Sequence, residues 1–80
     1  EIDLIVQNPD GVVFVEVKKS RSFDAAARHL GQRQRNRILV SAAEYLGTLP
    51  TGALTEARFD VALVDGRGAV QILENAFGES

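Results

Sequence analysis

Asp3, Glu16 and Lys18 are the residues of this chain best placed to do chemistry together. Asp3 lies in EIDLIVQ (1–7), and Glu16 and Lys18 lie in VVFVEVK (12–18). Between the two runs stand Asn8, Pro9, Asp10 and Gly11, a cluster of turn formers. Two strand-like runs around such a turn predict a β-hairpin. With its centre between Pro9 and Asp10, Gln7 faces Val12, Asp3 faces Glu16 and Glu1 faces Lys18. Alternation then gathers Glu1, Asp3, Ile5 and Gln7 with Val12, Phe14, Glu16 and Lys18 on one face. The other face, Ile2, Leu4, Val6, Val13, Val15 and Val17, is wholly apolar and is expected to be buried. Carboxylates directly opposite one another repel and destabilise a sheet, so something must offset them. A divalent cation does so, because Mg²⁺ takes one or two carboxylates plus water and phosphate oxygens. Lys18 beside it would stabilise charge on a phosphate. Cross-strand salt bridges on a solvated face, with Lys18 paired to Glu1, Asp3 or Glu16, would satisfy the same residues without a ligand. Both readings depend on register, since one residue more or less in the turn moves one strand's polar set to the opposite face.

The remaining elements must hold this hairpin. Residues 19–24 are polar and loop-like, and Asp24 can cap a short helical stretch from Ala25 to Leu30. Gly31 marks a joint. From Gln32 to Leu46 the pattern is helical, with Ile38, Leu39, Ala42, Tyr45 and Leu46 recurring at helical spacings. Gly47 is a stop signal and Pro50 lies just beyond. After a loop over 48–57, Arg58 to Asp65 reads as a third strand, Asp65-Gly66-Arg67-Gly68 as a turn, and Val70 to Leu73 as a fourth. The tail from Asn75 is expected to be poorly ordered towards its end. The expectation is one α/β domain over residues 1–80, a mixed sheet with one principal helix, in the order strand, strand, helix, strand, strand.

Composition narrows the chemistry. The 80 residues include 45% hydrophobic types, enough for one thin core. Cysteine is absent, which removes disulfides, thiolate metal sites and cysteine nucleophiles. His29 is the one histidine, so a His/Cys zinc site cannot be assembled within a single chain. No run approaches the roughly 20 apolar residues of a membrane span, and no signal peptide is visible. These features point to the cytoplasm. The chain opens on Glu1, inside a strand-like run, so an N-terminal piece is expected to precede it. The net charge of −2 is unevenly spread. Residues 18–37 hold Lys18, Lys19, Arg21, Arg28, Arg33, Arg35 and Arg37 against Asp24 alone, a local net of +6. Such a segment beside an acidic body suits a phosphate-facing surface. A solvated basic helix and loop is the plainer account of the same charges.

Asp3 followed by Glu16-Val17-Lys18 resembles the Asp…Glu-x-Lys signature of the restriction-endonuclease-like nuclease superfamily. EIDLI (1–5), FVEVK (14–18), Ala43 to Leu46 closing a helix, RFDV (58–61) and NAF (75–77) resemble, in order, the YraN family of bacterial proteins. The resemblance covers essentially the whole chain. That family is similar to archaeal Holliday-junction resolvases. The resemblance implies a restriction-endonuclease-like sheet, with a further helix and strand expected before Glu1. It implies that Asp3 and Glu16 bind Mg²⁺ or Mn²⁺ with the Val17 carbonyl, and that Glu1 is an added or outer ligand. Lys18 would orient the attacking water and stabilise the charged transition state. The chain departs from the family where Gln34 and Ser20 stand in place of frequent basic residues. Gln34 keeps the capacity to hydrogen-bond a phosphate or water, and is counted with the catalytic candidates.

The expected function is metal-dependent hydrolysis of phosphodiester bonds in DNA, including branched or structured DNA. Lys19, Arg21, Arg28, Arg33 and Arg37 are the expected DNA contacts, and a homodimer would match a two-fold substrate. The first alternative is a non-catalytic nucleic-acid-binding module on the same fold. The second is a protein-interaction domain whose carboxylates are surface charge. Asp60 is expected to be a polar partner on the sheet, His29 to be exposed, and Phe14 to pack under the helix.

Overall fold

The computed structural model describes residues 2–22 and 31–76, the Ala53 side chain apart. Within them the chain forms strands β1 (Leu4–Asn8) and β2 (Gly11–Lys19), helix α1 (Gln32–Leu46), a 3₁₀ turn at Gly52–Leu54, and strands β3 (Ala57–Val64) and β4 (Val70–Leu73). The expected element order and the mixed α/β class are both observed. The helical stretch expected over Ala25–Leu30, its Asp24 cap, and His29 lie outside the described residues.

The sheet order is β1-β2-β3-β4. β1 and β2 are antiparallel, with Ile5 opposite Phe14 and Gln7 opposite Val12, the register expected from the turn. That register is fixed locally. The Asn8 side-chain oxygen accepts the Asp10 and Gly11 N–H groups, each at 2.9 Å, which closes a two-residue loop at Pro9 and Asp10. Gly11 then has φ +155°, and a methyl group there would run into the Glu56 carbonyl oxygen. That close approach lets Val12 N–H reach the same carbonyl at 2.9 Å, tying the hairpin to the start of β3. β2 and β3 are parallel, so a crossover must join them, and α1 lies within it. β4 returns antiparallel to β3.

Helix α1 covers the sheet face that carries Phe14. Ile38 and Ala42 are buried, as are Val12, Phe14, Val61 and Leu63. The Phe14 ring stacks on Phe59 at 5.2 Å and meets Tyr45 edge-on at 5.8 Å. Phe14 therefore packs beneath the helix, as expected. Leu39, counted in the apolar pattern of the helix, faces outward and is exposed.

One expectation is overturned. The apolar face of the hairpin was expected to be buried, yet Leu4, Val6 and Val17 are 52%, 41% and 38% exposed. The buried face is instead the one holding Val12, Phe14 and Glu16. Among the described residues the one α-helix, α1, packs on that face. α1 presents Ala42 to the Phe14 ring, and the aromatic cluster of Phe14, Phe59 and Tyr45 fills the space between helix and sheet. No helix among the described residues is long and apolar enough to cross a membrane.

Candidate metal centre

The open end of the hairpin brings Asp3, Glu16 and Lys18 together. Asp3 lies just before β1, and its Oδ2 accepts the Val17 N–H at 2.9 Å. A strand residue directs its N–H and C=O to the same side, so the Val17 carbonyl leaves β2 on the side where Asp3 sits. Glu16 is only 7% exposed. Its Oε2 accepts the Gln34 side-chain N–H at 2.6 Å and lies 3.7 Å from Lys18 Nζ. Its Oε1 is buried and has no hydrogen-bond partner.

The helix completes this arrangement. Gln34 contacts Glu16, while Tyr45 near the other helix end accepts a hydrogen bond from Gln7 Nε2 at 2.7 Å. α1 thus runs antiparallel to β2, with its N-terminal turn beside Glu16. Gly31 supplies no side-chain cap, and the first turn carries no acid. The positive end of the helix dipole therefore lies near the carboxylate, with no acid of the first turn to offset it.

Burial pushes the Glu16 carboxyl above the ordinary carboxylate range, and the neighbouring Asp3 charge adds to the effect. Lys18 acts in the opposite direction. An acid raised in this way, with one oxygen buried and bare, is short of positive charge. The donor set fits a hard divalent cation: carboxylate and carbonyl oxygens, with neither thiolate nor imidazole. Among the described residues no three His, Cys, Asp or Glu side chains come together, so the acids form a pair rather than a cage. A pair suits Mg²⁺ or Mn²⁺ that keeps much of its water. Glu1, the expected additional ligand, lies outside the described residues.

The expected basic contacts do not share one surface. Arg33 and Arg37 are exposed one turn apart on α1, flanking the inward-facing Gln34. Lys19 follows Lys18 in β2 and so projects from the opposite sheet face. With Arg21 it lines a hollow bounded by Val64, Asp65 and Gly68. Arg28 is outside the described residues. Asp60 is the sheet partner expected of it: buried, it accepts Arg58 Nε at 2.9 Å, Arg58 Nη2 at 3.0 Å and the Asn75 N–H at 3.0 Å. The Gln34–Glu16 bond is what sequence reasoning missed. Gln34 stood out there for its capacity to bond phosphate or water, whereas its partner depends on the direction in which the helix crosses the sheet.

A hairpin-borne pair of acids and a lysine, under a helix on a mixed four-stranded sheet, defines a small α/β domain with a candidate metal half-site. The chain belongs to the family described as uncharacterised protein family UPF0102, the YraN family, whose model matches residues 1–64. It is 60% identical over 78 residues to a UPF0102 protein of Ruegeria pomeroyi, covering 98% of this chain and 63% of that protein. A UPF0102 protein of Cereibacter sphaeroides is 56% identical over 77 residues, covering 96% of this chain and 66% of the relative. One from Roseobacter denitrificans is 54% identical over 79 residues, covering 99% and 61%. The chain thus spans a little under two thirds of the length of the first of these relatives.

Proposed function

We propose that this domain is the catalytic core of a Mg²⁺- or Mn²⁺-dependent endonuclease that hydrolyses phosphodiester bonds in DNA, branched or structured DNA included. The observation that carries the reading is the buried, unpartnered Oε1 of Glu16 beside Asp3, with Lys18 3.7 Å from the other oxygen of the same carboxylate. Asp3, Glu16 and the Val17 carbonyl would hold the cation. When bound, it would supply a lowered pKa for attacking water and a polarised phosphate. Lys18 keeps its ammonium next to the reacting centre, where it would orient water and stabilise negative charge on the phosphate. Arg33 and Arg37 would hold the DNA backbone, which positions the duplex without reading its sequence. A two-fold assembly of the whole protein would suit a two-fold substrate.

One observation favours a second reading, a nucleic-acid-binding module without turnover. Gln34 is committed to Glu16, so among the described residues Lys18 is the one cation seen in contact with the acid pair. Calorimetric titration of the full-length protein with Mg²⁺ and Mn²⁺, beside its Asp3→Asn variant, tests both readings when followed by incubation with labelled branched DNA. Metal binding that the variant loses, together with metal-dependent cleavage, is the expected result. Salt-sensitive DNA binding with neither metal dependence nor cleavage would replace the nuclease reading with the second.

A further inference from the structure

Helix α1 starts without a cap. Gly31 stands at the cap position with φ −86° and ψ 172°, extended backbone open to any residue, and makes no side-chain cap bond. Among the described residues no atom lies within 4 Å of where a Cβ at Gly31 would stand. Serine or asparagine would therefore fit there and would stabilise the helix by capping it. The Arg35 N–H bonds the Gly31 carbonyl at 3.0 Å. The N–H groups of Gln32, Arg33 and Gln34 precede that bond and find no carbonyl within the helix. They form the positive end of the helix dipole, and the first turn contains no acid.

Glu16 supplies an independent sign that a ligand belongs at this end. It is 7% exposed and its Oε1 has no hydrogen-bond partner, while Gln34 of the same first turn holds its Oε2 at 2.6 Å. A buried carboxylate oxygen left bare calls for a cation. A phosphate group drawn to a cation there meets uncapped N–H groups on the helix side, with the exposed Arg33 at the rim.

We propose that the N-terminus of α1 is a phosphate seat: the backbone N–H groups of Gln32, Arg33 and Gln34 bind a phosphate group beside the acid pair, and Gly31 keeps those donors free for it. This rests on the metal-site reading above and goes beyond it, since it gives the phosphate its own donors and the glycine a role. Backbone N–H groups need no side chain to be ordered, and the dipole favours the charge they receive.

The test compares Gly31→Asn with Gly31→Ala in the full-length protein. Asparagine brings a side-chain oxygen to the Arg33 or Gln34 N–H without adding charge, whereas alanine has no acceptor and leaves the donors open. The probes are inorganic phosphate, by calorimetry in Mg²⁺, and a labelled DNA duplex, by anisotropy in Mg²⁺ on ice, ahead of cleavage. Gly31→Asn should bind both about fivefold more weakly than Gly31→Ala, the scale of a helix end acting on an anion. It should nevertheless melt at the higher temperature, because its helix is capped. Equal affinities in the two variants, with DNA bound by the natural protein, would overturn the seat alone. Weak binding by a Gly31→Asn protein that melts below Gly31→Ala would assign the loss to a damaged helix and overturn the seat. Inorganic phosphate bound at the seat, with no DNA binding, would keep the seat and overturn the DNA reading. Absence of binding of either probe to the natural protein would overturn both.

Discussion

Asp3 reaches across the open end of the hairpin to accept the Val17 N–H at 2.9 Å, and so stands beside the Glu16 carboxylate that precedes Val17. A backbone donor thus holds one acid against the other. The pair is costly to keep charged without a cation.

Glu16→Gln should stabilise the metal-free protein at neutral pH. Glu16 has its carboxyl raised first by burial and then by Asp3. A raised acid favours folding most while protonated, below the ordinary carboxylate range, and that stability is lost as pH rises through the raised value. Glutamine stays neutral at every pH, so the variant avoids the loss. Thermal unfolding in a chelator should give a higher midpoint for the variant at pH 7, with a smaller fall between acid and neutral pH. Added Mg²⁺ should raise the midpoint of the natural protein alone. A lower midpoint for the variant at pH 7 would mean that Lys18 and Gln34 outweigh the burial of the charge.

Arg33→Ala combined with Arg37→Ala should weaken DNA binding evenly across sequences. If each arginine meets one phosphate, the slope of log affinity against log salt should become shallower by roughly 2. Fluorescence anisotropy over a salt series measures this directly. An unchanged slope would place the DNA elsewhere, the hollow beside Lys19 and Arg21 being the next surface to test.

Asp60→Ala should loosen the end of the sheet without touching metal affinity. The carboxylate holds Arg58 and the Asn75 N–H, and Asn75 sits at φ +54° where the chain turns back so that Ala76 N–H reaches the Phe59 carbonyl at 2.7 Å. Removing the acceptor should cost about 1–3 kcal/mol. Hydrogen exchange should quicken at Asn75 and Ala76 before it does in β2. Reduced Mg²⁺ affinity in this variant would instead assign Asp60 to the site.

Phe14→Ala should cost about 3–5 kcal/mol, a large share of the roughly 5–15 kcal/mol that holds a domain together. Phe14 is 1% exposed and packs on both Phe59 and Tyr45. Chemical denaturation should show the loss, and circular dichroism should show whether α1 survives it.

The hairpin register was legible because Asn8, Pro9, Asp10 and Gly11 fix a short turn, and a short turn fixes every pair beyond it. The bounds of α1 were legible because Gln32 to Leu46 keeps a helical period and ends at Gly47. That α1 covers the Phe14 face was expected, whereas the exposure of Leu4, Val6 and Val17 on the other face was not. Apolar content alone favoured the side with Leu4, Val6 and Val17, and a hydrophobicity pattern says nothing about which side the crossover packs on. On the covered face the Phe14 ring packs against Ala42 and Tyr45. The same gap concealed the Gln34–Glu16 bond. It links residues 18 apart, and only the direction of the helix across β2 brings them together.

The two pairings of β2 also differ in the length of chain they must close. Asn8 meets Gly11 around a tight turn, whereas Val12 meets Ala57 only after the entire crossover has been laid down. Local pairing closes faster than distant pairing. Asp3, Glu16 and Lys18 are thus brought together by the quickest contact in the sheet, while Gln34, 18 residues from Glu16, arrives later. The acid pair is a property of one hairpin, and its tuning is a property of the finished domain. In a nascent chain the two acids would stand together before the Gln34 amide reached Glu16.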